Sequence, residues 1–219
     1  MKKIKIALIL NIIIVLLTVI ASIMMFTGFK FMHDYNLVLE TSKIGMFKFF
    51  TVDSNMFMGL VSLIFVFLEL EIIHDKRKTI NKKYYILKLM STTAVFLTFF
   101  VVFAYLGPLT KYGIKSMITN SNLFFHLLIP VISIINFIFF EKTDKLVFKD
   151  TKYGLVPSLM YAVFYITNIL IHMENGKVST TYDWYWFVQN GVWTSLIVLP
   201  ILFGITYLLS LIIWRLNRK

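Results

Sequence analysis

Six stretches of mostly apolar residues run along the chain, parted by short segments marked by charge, Gly or Pro. They extend approximately from Ile4 to Phe26, Phe49 to Ile73, Tyr84 to Leu106, Ser121 to Phe140, Tyr153 to Met173 and Phe187 to Trp214. About 20 apolar residues in helical form cross the roughly 30 Å of bilayer hydrocarbon. The pattern therefore predicts an all-α polytopic membrane protein, a single domain over residues 1–219 built as a bundle of six transmembrane helices. The longest connection, Thr27 to Lys48, leaves no room for a soluble domain. The first stretch has the basic start of a signal peptide, but its apolar run exceeds the roughly 7 to 15 residues of such a segment, so it is expected to remain as a helix. Gly107-Pro108 is expected to end the third helix, because proline lacks an N–H and pushes its predecessor out of the α region.

Within the spans the polar positions recur alternately four and three residues apart, which puts them on one face of each helix. The second carries Thr51, Asn55, Met58, Ser62, Phe65 and Glu69, and the third Ser91, Val95, Thr98, Val102 and Tyr105. The fourth carries Asn122, His126, Ile129, Ser133 and Asn136, and the fifth Tyr161, Tyr165, Asn168 and His172. Polar groups in lipid turn toward the bundle interior or a wet cavity. Most of these Ser, Thr and Asn positions read as interhelical glue, worth about 0.6 to 2 kcal/mol per hydrogen bond.

Composition fits this reading, with 58% apolar and only 15% charged residues. The chain has no cysteine, which excludes disulfides, thiolate nucleophiles and cysteine metal sites. The formal net charge of +11 would suggest nucleic acid as a partner of a soluble protein. Here the Lys and Arg residues segregate: fifteen lie toward the termini and in the second and fourth connections, six in the other three, and Lys88 is the one left, at the inner end of the third helix. By the positive-inside rule both termini are cytoplasmic and no nucleic-acid partner is implied. Tyr182, Trp184, Tyr185 and Trp186 read as an outer aromatic belt before the sixth helix. A bias toward Lys, Ile, Phe and Asn hints at a bacterial plasma membrane. There is no internal repeat of the kind that builds inverted-repeat transporters.

The candidate chemistry lies at the outer ends of the stripes. Thr51 and His126 fall at similar depth, so they can meet. A threonine hydroxyl becomes a nucleophile when a base takes its proton, and a neutral histidine within reach is the minimum unit for acyl transfer. Asn122, one turn before His126, is placed to fix the ring's tautomer. Pro130, four residues after it, removes the bond to the His126 carbonyl and is expected to kink the helix. Asp53, Ser54 and Asn55 are candidates for orienting or oxyanion roles, although Asp53 reads first as an N-terminal-turn carboxylate favoured by the helix dipole. Tyr161, Tyr165 and Asn168 complete the outer polar cluster. Glu69 and Glu71 read as partners of Lys88 and the Lys76 to Lys83 cluster at the inner interface. His172 with Glu174 lacks further ligands, so no metal and no cofactor are expected. A G-x-S-x-G elbow, an H-E-x-x-H helix and a tight acidic cluster are all missing from the sequence.

Phe50-Thr51-Val52-Asp53-Ser54-Asn55 resembles the F-T-x-x-S-N element opening the second helix of a bacterial family of six-helix membrane proteins. Asn122-Leu123-Phe124-Phe125-His126, with Pro130 after it, resembles that family's N-x-x-x-H-x-x-x-P. Pro157 to Tyr165 resembles its P-x-x-x-Y-x-x-x-Y. These proteins are similar to the androgen-induced and androgen-dependent membrane hydrolases, which cleave fatty acid esters of hydroxy fatty acids with an intramembrane threonine and histidine. The resemblance implies Thr51 as nucleophile, His126 as base, and a membrane lipid or fatty-acid ester as substrate. Ser54, Asn55 and Asn122 match motif positions without an assigned role. The chain departs from many bacterial relatives at Phe137, where tryptophan is common, and at Tyr182-Asp183-Trp184, where Tyr-Pro is usual. The main rival is a six-helix solute-binding or transport subunit, although the first helix lacks the A-x-x-x-A face by which such subunits dock. A third reading is a structural membrane protein whose stripes are only glue.

Overall fold

The structure is a computed structural model that describes residues 1–33, 43–188, 191 and 193–218. Six helices are long and apolar enough to cross a membrane: α1 (Lys2–Thr27), α2 (Phe50–Ile73), α3 (Lys82–Leu109), α4 (Leu123–Phe140), α5 (Phe148–Ile171) and α6 (Trp193–Arg218). The chain is thus an all-α, multi-pass membrane protein. Ile4, Lys78, Lys142 and Arg218 line one recess, so both termini and the two most basic connections share one end of the bundle. We call it the basic end.

The central helix is α3, which packs against α2, α4, α5 and α6. Its segment from Lys88 to Val95 is buried almost throughout and carries Ser91, Thr92 and Thr93 in place of large side chains. The predicted stripes on α2 and α4 are the buried faces: Asn55, Met58, Ser62, Phe65 and Glu69, and His126, Ile129, Ser133 and Asn136. On α5 the buried line is instead Ala162, Tyr165 and Ile169, with Tyr161, Asn168 and His172 at its edge. On α3 the stripe ends at Val102, and Tyr105 is exposed.

Tyr105 leaves the buried face where the helical period changes, and α3 does not stop where its proline predicts. A π-helical turn over Val102–Leu106 leads into a last α turn, Gly107–Leu109. The wider turn shifts every later residue around the axis. The Gly107 N–H bonds Val102 O, five residues back, and Pro108 follows with no N–H to offer. The same construction recurs in α4. A π turn covers Phe124–Leu128, Ile129 N–H bonds Phe124 O, and Pro130 follows. In this register the carbonyl deprived of its donor is Phe125, one residue before the His126 carbonyl expected from α geometry.

At α1 a single face is buried: Ala7, Asn11, Ile14, Thr18, Ala21 and Met24, four and three residues apart. Ile9, Ile12, Leu16, Val19 and Ile23 face outward. The seam with α2 is tight at Gly59, where an added Cβ would lie 2.7 Å from Thr18 Cγ2. Small residues let helices approach this closely in lipid, where dispersion must replace the hydrophobic effect. The fifth span begins earlier than predicted, with a 3-10 stretch at Phe148–Leu155. Its start is fixed by Asp150, which accepts from the Val147 N–H at 2.7 Å and pairs with Lys82 at 2.7 Å. The sixth span begins later, at Trp193, because the chain before it turns around Asp183 as described below.

Gly59→Ala is expected to destabilise the bundle by about 1–3 kcal/mol through overpacking against Thr18, read as a lower unfolding temperature in detergent. Adding Thr18→Ala should recover most of the loss; a double variant as unstable as the single one would show that the seam is not the cause.

Candidate active site

At the end opposite the basic one, α1 to α6 surround a cavity of about 1240 Å³. Thr51, Asn122, His126, Tyr161 and Tyr165 of the predicted residues line it. Its walls are otherwise mostly apolar, including Val101, Leu199, Leu202 and Phe203.

His126 is buried and its Nδ1 lies 2.5 Å from the Met117 carbonyl oxygen. A carbonyl only accepts, so the neutral ring carries its proton on Nδ1 and leaves Nε2 with the free lone pair. The tautomer is therefore set by the backbone of the short helix Ile114–Met117, not by Asn122 as the spacing suggested. Asn122 is half-buried and stands at the cavity wall.

Thr51 lies in the first turn of α2. Its backbone is tied to that of the histidine helix by one side chain. Asn55, wholly buried, donates through Nδ2 to Thr51 O at 2.7 Å and to Phe125 O at 3.0 Å. The second acceptor is the carbonyl released by Pro130. Thus the π turn and proline of α4 create a vacancy that an amide on α2 fills, and Thr51 and His126 come to line one space. Among the described residues no hydrogen bond joins the two side chains. Ser54 bonds Thr51 O at 3.1 Å and Thr98 Oγ1 at 3.1 Å, holding α2 to α3 behind the wall. Asp53 is half-buried in the first turn of α2, outside the cavity lining. Asn168 also lies outside it and donates to Tyr182 O at 2.7 Å.

The aromatic segment before α6 departs from the expected belt. Tyr182 and Trp186 are exposed, but Trp184 is buried and Tyr185 half-buried. The cause is Asp183, wholly buried, which accepts from Tyr165 OH and from the Phe187 and Val188 N–H groups at 2.9 and 3.1 Å. This carboxylate bends the chain inward. Trp184 Nε1 then donates to Tyr161 OH at 3.0 Å, and Tyr161 OH donates to Lys48 O at 2.5 Å. The Tyr185 hydroxyl accepts the Phe50 N–H at 3.1 Å, capping α2 directly before Thr51. Burial pushes the Tyr185 phenol up to about 12, so it stays protonated near neutral pH.

Sequence reasoning passed over Asn120. It sits at φ 52 and ψ −132 before α4, a conformation that favours glycine and that side-chain-bearing residues rarely adopt. Its Oδ1 accepts from the Phe31 and Met32 N–H groups at 2.9 and 2.7 Å. Its Nδ2 is buried without an acceptor among the described residues, and the residue lines the same cavity. Only the pairing of two asparagines around Ser121 hinted at this in the sequence. Comparison with family models, curated proteins and solved structures finds no match for this chain.

Replacing Asn55 with Ala strands the Phe125 carbonyl and is expected to cost about 1–3 kcal/mol of stability. In a Pro130→Ala background, where residue 130 regains an N–H, the same replacement should cost less. A double-mutant cycle on unfolding in detergent measures the difference, and strict additivity would remove the link drawn here.

Proposed function

We propose that this protein is an integral membrane hydrolase of lipid esters, with Thr51 as nucleophile and His126 as general base. The observation that carries the reading is the His126 ring, whose Nδ1 is committed to the Met117 carbonyl while Nε2 is left as a base beside a cavity that Thr51 also lines. In the first step Thr51 Oγ1 bonds to the ester carbonyl carbon while Nε2 takes its proton. Collapse of the tetrahedral intermediate breaks the ester C–O bond, and the imidazolium returns the proton to the leaving alcohol. Water, activated by the same nitrogen, then releases the fatty acid and restores the threonine.

Negative charge developing on the carbonyl oxygen meets two favourable features. The first turn of α2 presents the positive end of its helix dipole. Asn120 Nδ2 supplies a buried donor with no acceptor among the described residues. The apolar walls suit an alkyl chain, and the F-T-x-x-S-N and N-x-x-x-H-x-x-x-P resemblance points to fatty acid esters of hydroxy fatty acids. The termini are cytoplasmic on this reading, the cavity lies in the outer half of the bilayer, and the membrane is a bacterial plasma membrane. The same cavity would also suit capture of a solute without chemistry, which catalytic assays separate from hydrolysis.

Purified in detergent, the protein should cleave a medium-chain ester or a branched fatty-acid ester. Thr51→Ala and His126→Ala should each abolish turnover without unfolding the protein, and a serine/threonine-directed hydrolase probe should label Thr51. Undiminished hydrolysis in both variants would exclude the mechanism. Because the base works as the neutral ring, activity should fall as pH drops through the imidazole's titration. Asn120→Asp keeps the acceptor for Phe31 and Met32 but removes the donor, and should lower kcat by roughly 10²–10³; an unaffected kcat would take Asn120 out of the mechanism.

A further inference from the structure

At the basic end, and apart from the cavity, four helices meet around a set of buried polar groups. Asn11 of α1 donates through Nδ2 to both carboxylate oxygens of Glu69 at 3.2 and 3.0 Å and to Glu141 Oε1 at 2.7 Å. Lys88 of α3 donates to Asn11 Oδ1 at 2.5 Å and Ser62 Oγ at 3.2 Å, and pairs with Glu141 Oε1 at 3.1 Å. Asn136 of α4 donates to Glu141 Oε1 at 3.0 Å. Exposure is 1% for Glu69, 0% for Lys88 and 5% for Glu141, so bulk water screens none of them.

Charge does not balance here: two carboxyl groups face one ammonium. Hydrogen bonding does not balance either. Three donors converge on Glu141 Oε1, while Glu141 Oε2 and Asn136 Oδ1 are both buried without a partner among the described residues. The two orphans belong to planar groups already joined by one hydrogen bond, and both are acceptors. A single proton on Glu141 Oε2 would supply the missing donor, completing an acid–amide pair with Asn136. It would also cancel the excess negative charge, which an uncompensated buried site tolerates poorly. A metal cation in the same place would be opposed by the Lys88 ammonium.

We propose that this cluster is a proton-binding site, holding one proton between Glu69 and Glu141 at neutral pH. The proton closes the Glu141–Asn136 pair at the end of α4, and the other oxygen of Glu141 ties that pair to Asn11 of α1 and Lys88 of α3, with Ser62 and Glu69 of α2 bonded to these in turn. Other titratable groups facing it are Tyr85 of α3 and, after α4, Asp144. From α1 the packed face brings Ala7 and Asn11, Lys5 being exposed, and from α6 it brings Asn217, which donates to Glu141 O at 3.1 Å, Arg215 and Arg218 being exposed.

The test is infrared spectroscopy of the full chain in detergent at neutral pH, following the C=O stretch of a protonated carboxyl group by difference between variants. The wild type should show this band. Glu69→Gln and Glu141→Gln should each lose it, because either leaves one carboxylate opposite one ammonium. Lys88→Met should enlarge it, since both carboxyls must then be neutral. Elution as a single species checks that each variant folds, and either glutamine variant alone suffices for the reading. A band that both glutamine variants retain would overturn the proposal, as would a wild-type band that vanishes when sodium chloride replaces choline chloride, the sign of a metal cation as occupant.

Discussion

Hydrocarbon offers a backbone carbonyl no hydrogen-bond donor, and a carbonyl left bare there costs several kcal/mol. Pro130 follows directly on a π turn of α4, and the chain meets the resulting vacancy with one amide. Asn55 reaches from α2 to the Phe125 carbonyl while holding the Thr51 carbonyl of its own helix. Two bonds of a single side chain thereby set the spacing between the hydroxyl and the imidazole. The short helix that carries Met117 then fixes which ring nitrogen is basic.

The second helix organises both ends of the molecule along one face. Thr51 and Asn55 belong to the cavity end, and Ser62 and Glu69 to the charged cluster near the basic end. Between Asn55 and Ser62 on this face lies Met58, wholly buried, while Phe65 is buried within the cluster itself, beneath the Lys88 ammonium. One apolar layer thus separates two polar centres of different character. Apart from Lys30 and Lys111, the polar groups lining the cavity are neutral donors and acceptors, whereas the cluster is a dry knot of two carboxyl groups, one ammonium and the amides that bind them.

Periodicity made the fold legible because lipid and interior select opposite faces of each helix. The α2 and α4 stripes could be read from alternate steps of four and three. That logic failed where the helical period itself changes: the π turn at Val102–Leu106 takes Tyr105 off the buried face, and α3 runs on through Gly107 to Leu109. Residues whose partners come from distant segments were equally hidden. Asn11 and Glu141 become a pair only when α1 and α4 pack together, and Glu69, read as an interfacial ion-pair partner, is instead sealed inside with Lys88; Glu71 does pair at the interface, with Arg77 at 2.5 Å. Trp184 looked like an interfacial ring because nothing in the local sequence shows that Asp183 will turn the segment inward. Thr51 and His126 could be singled out by residue type and depth, whereas Asn120 depends on a backbone conformation.

The seam between α1 and α2 has a mechanical consequence. It is pinned at two heights, by Thr18 against Gly59 and by Asn11 against Glu69. A helix held at one point can ratchet along its neighbour by a turn, about 5.4 Å, when the surrounding membrane thickens or thins. Held at two, α1 has no such freedom, since one step of sliding would pull the asparagine from its carboxylate and drive the threonine into a larger residue. Hydrophobic mismatch must therefore be absorbed by tilting the bundle as a whole or by deforming the lipid around it.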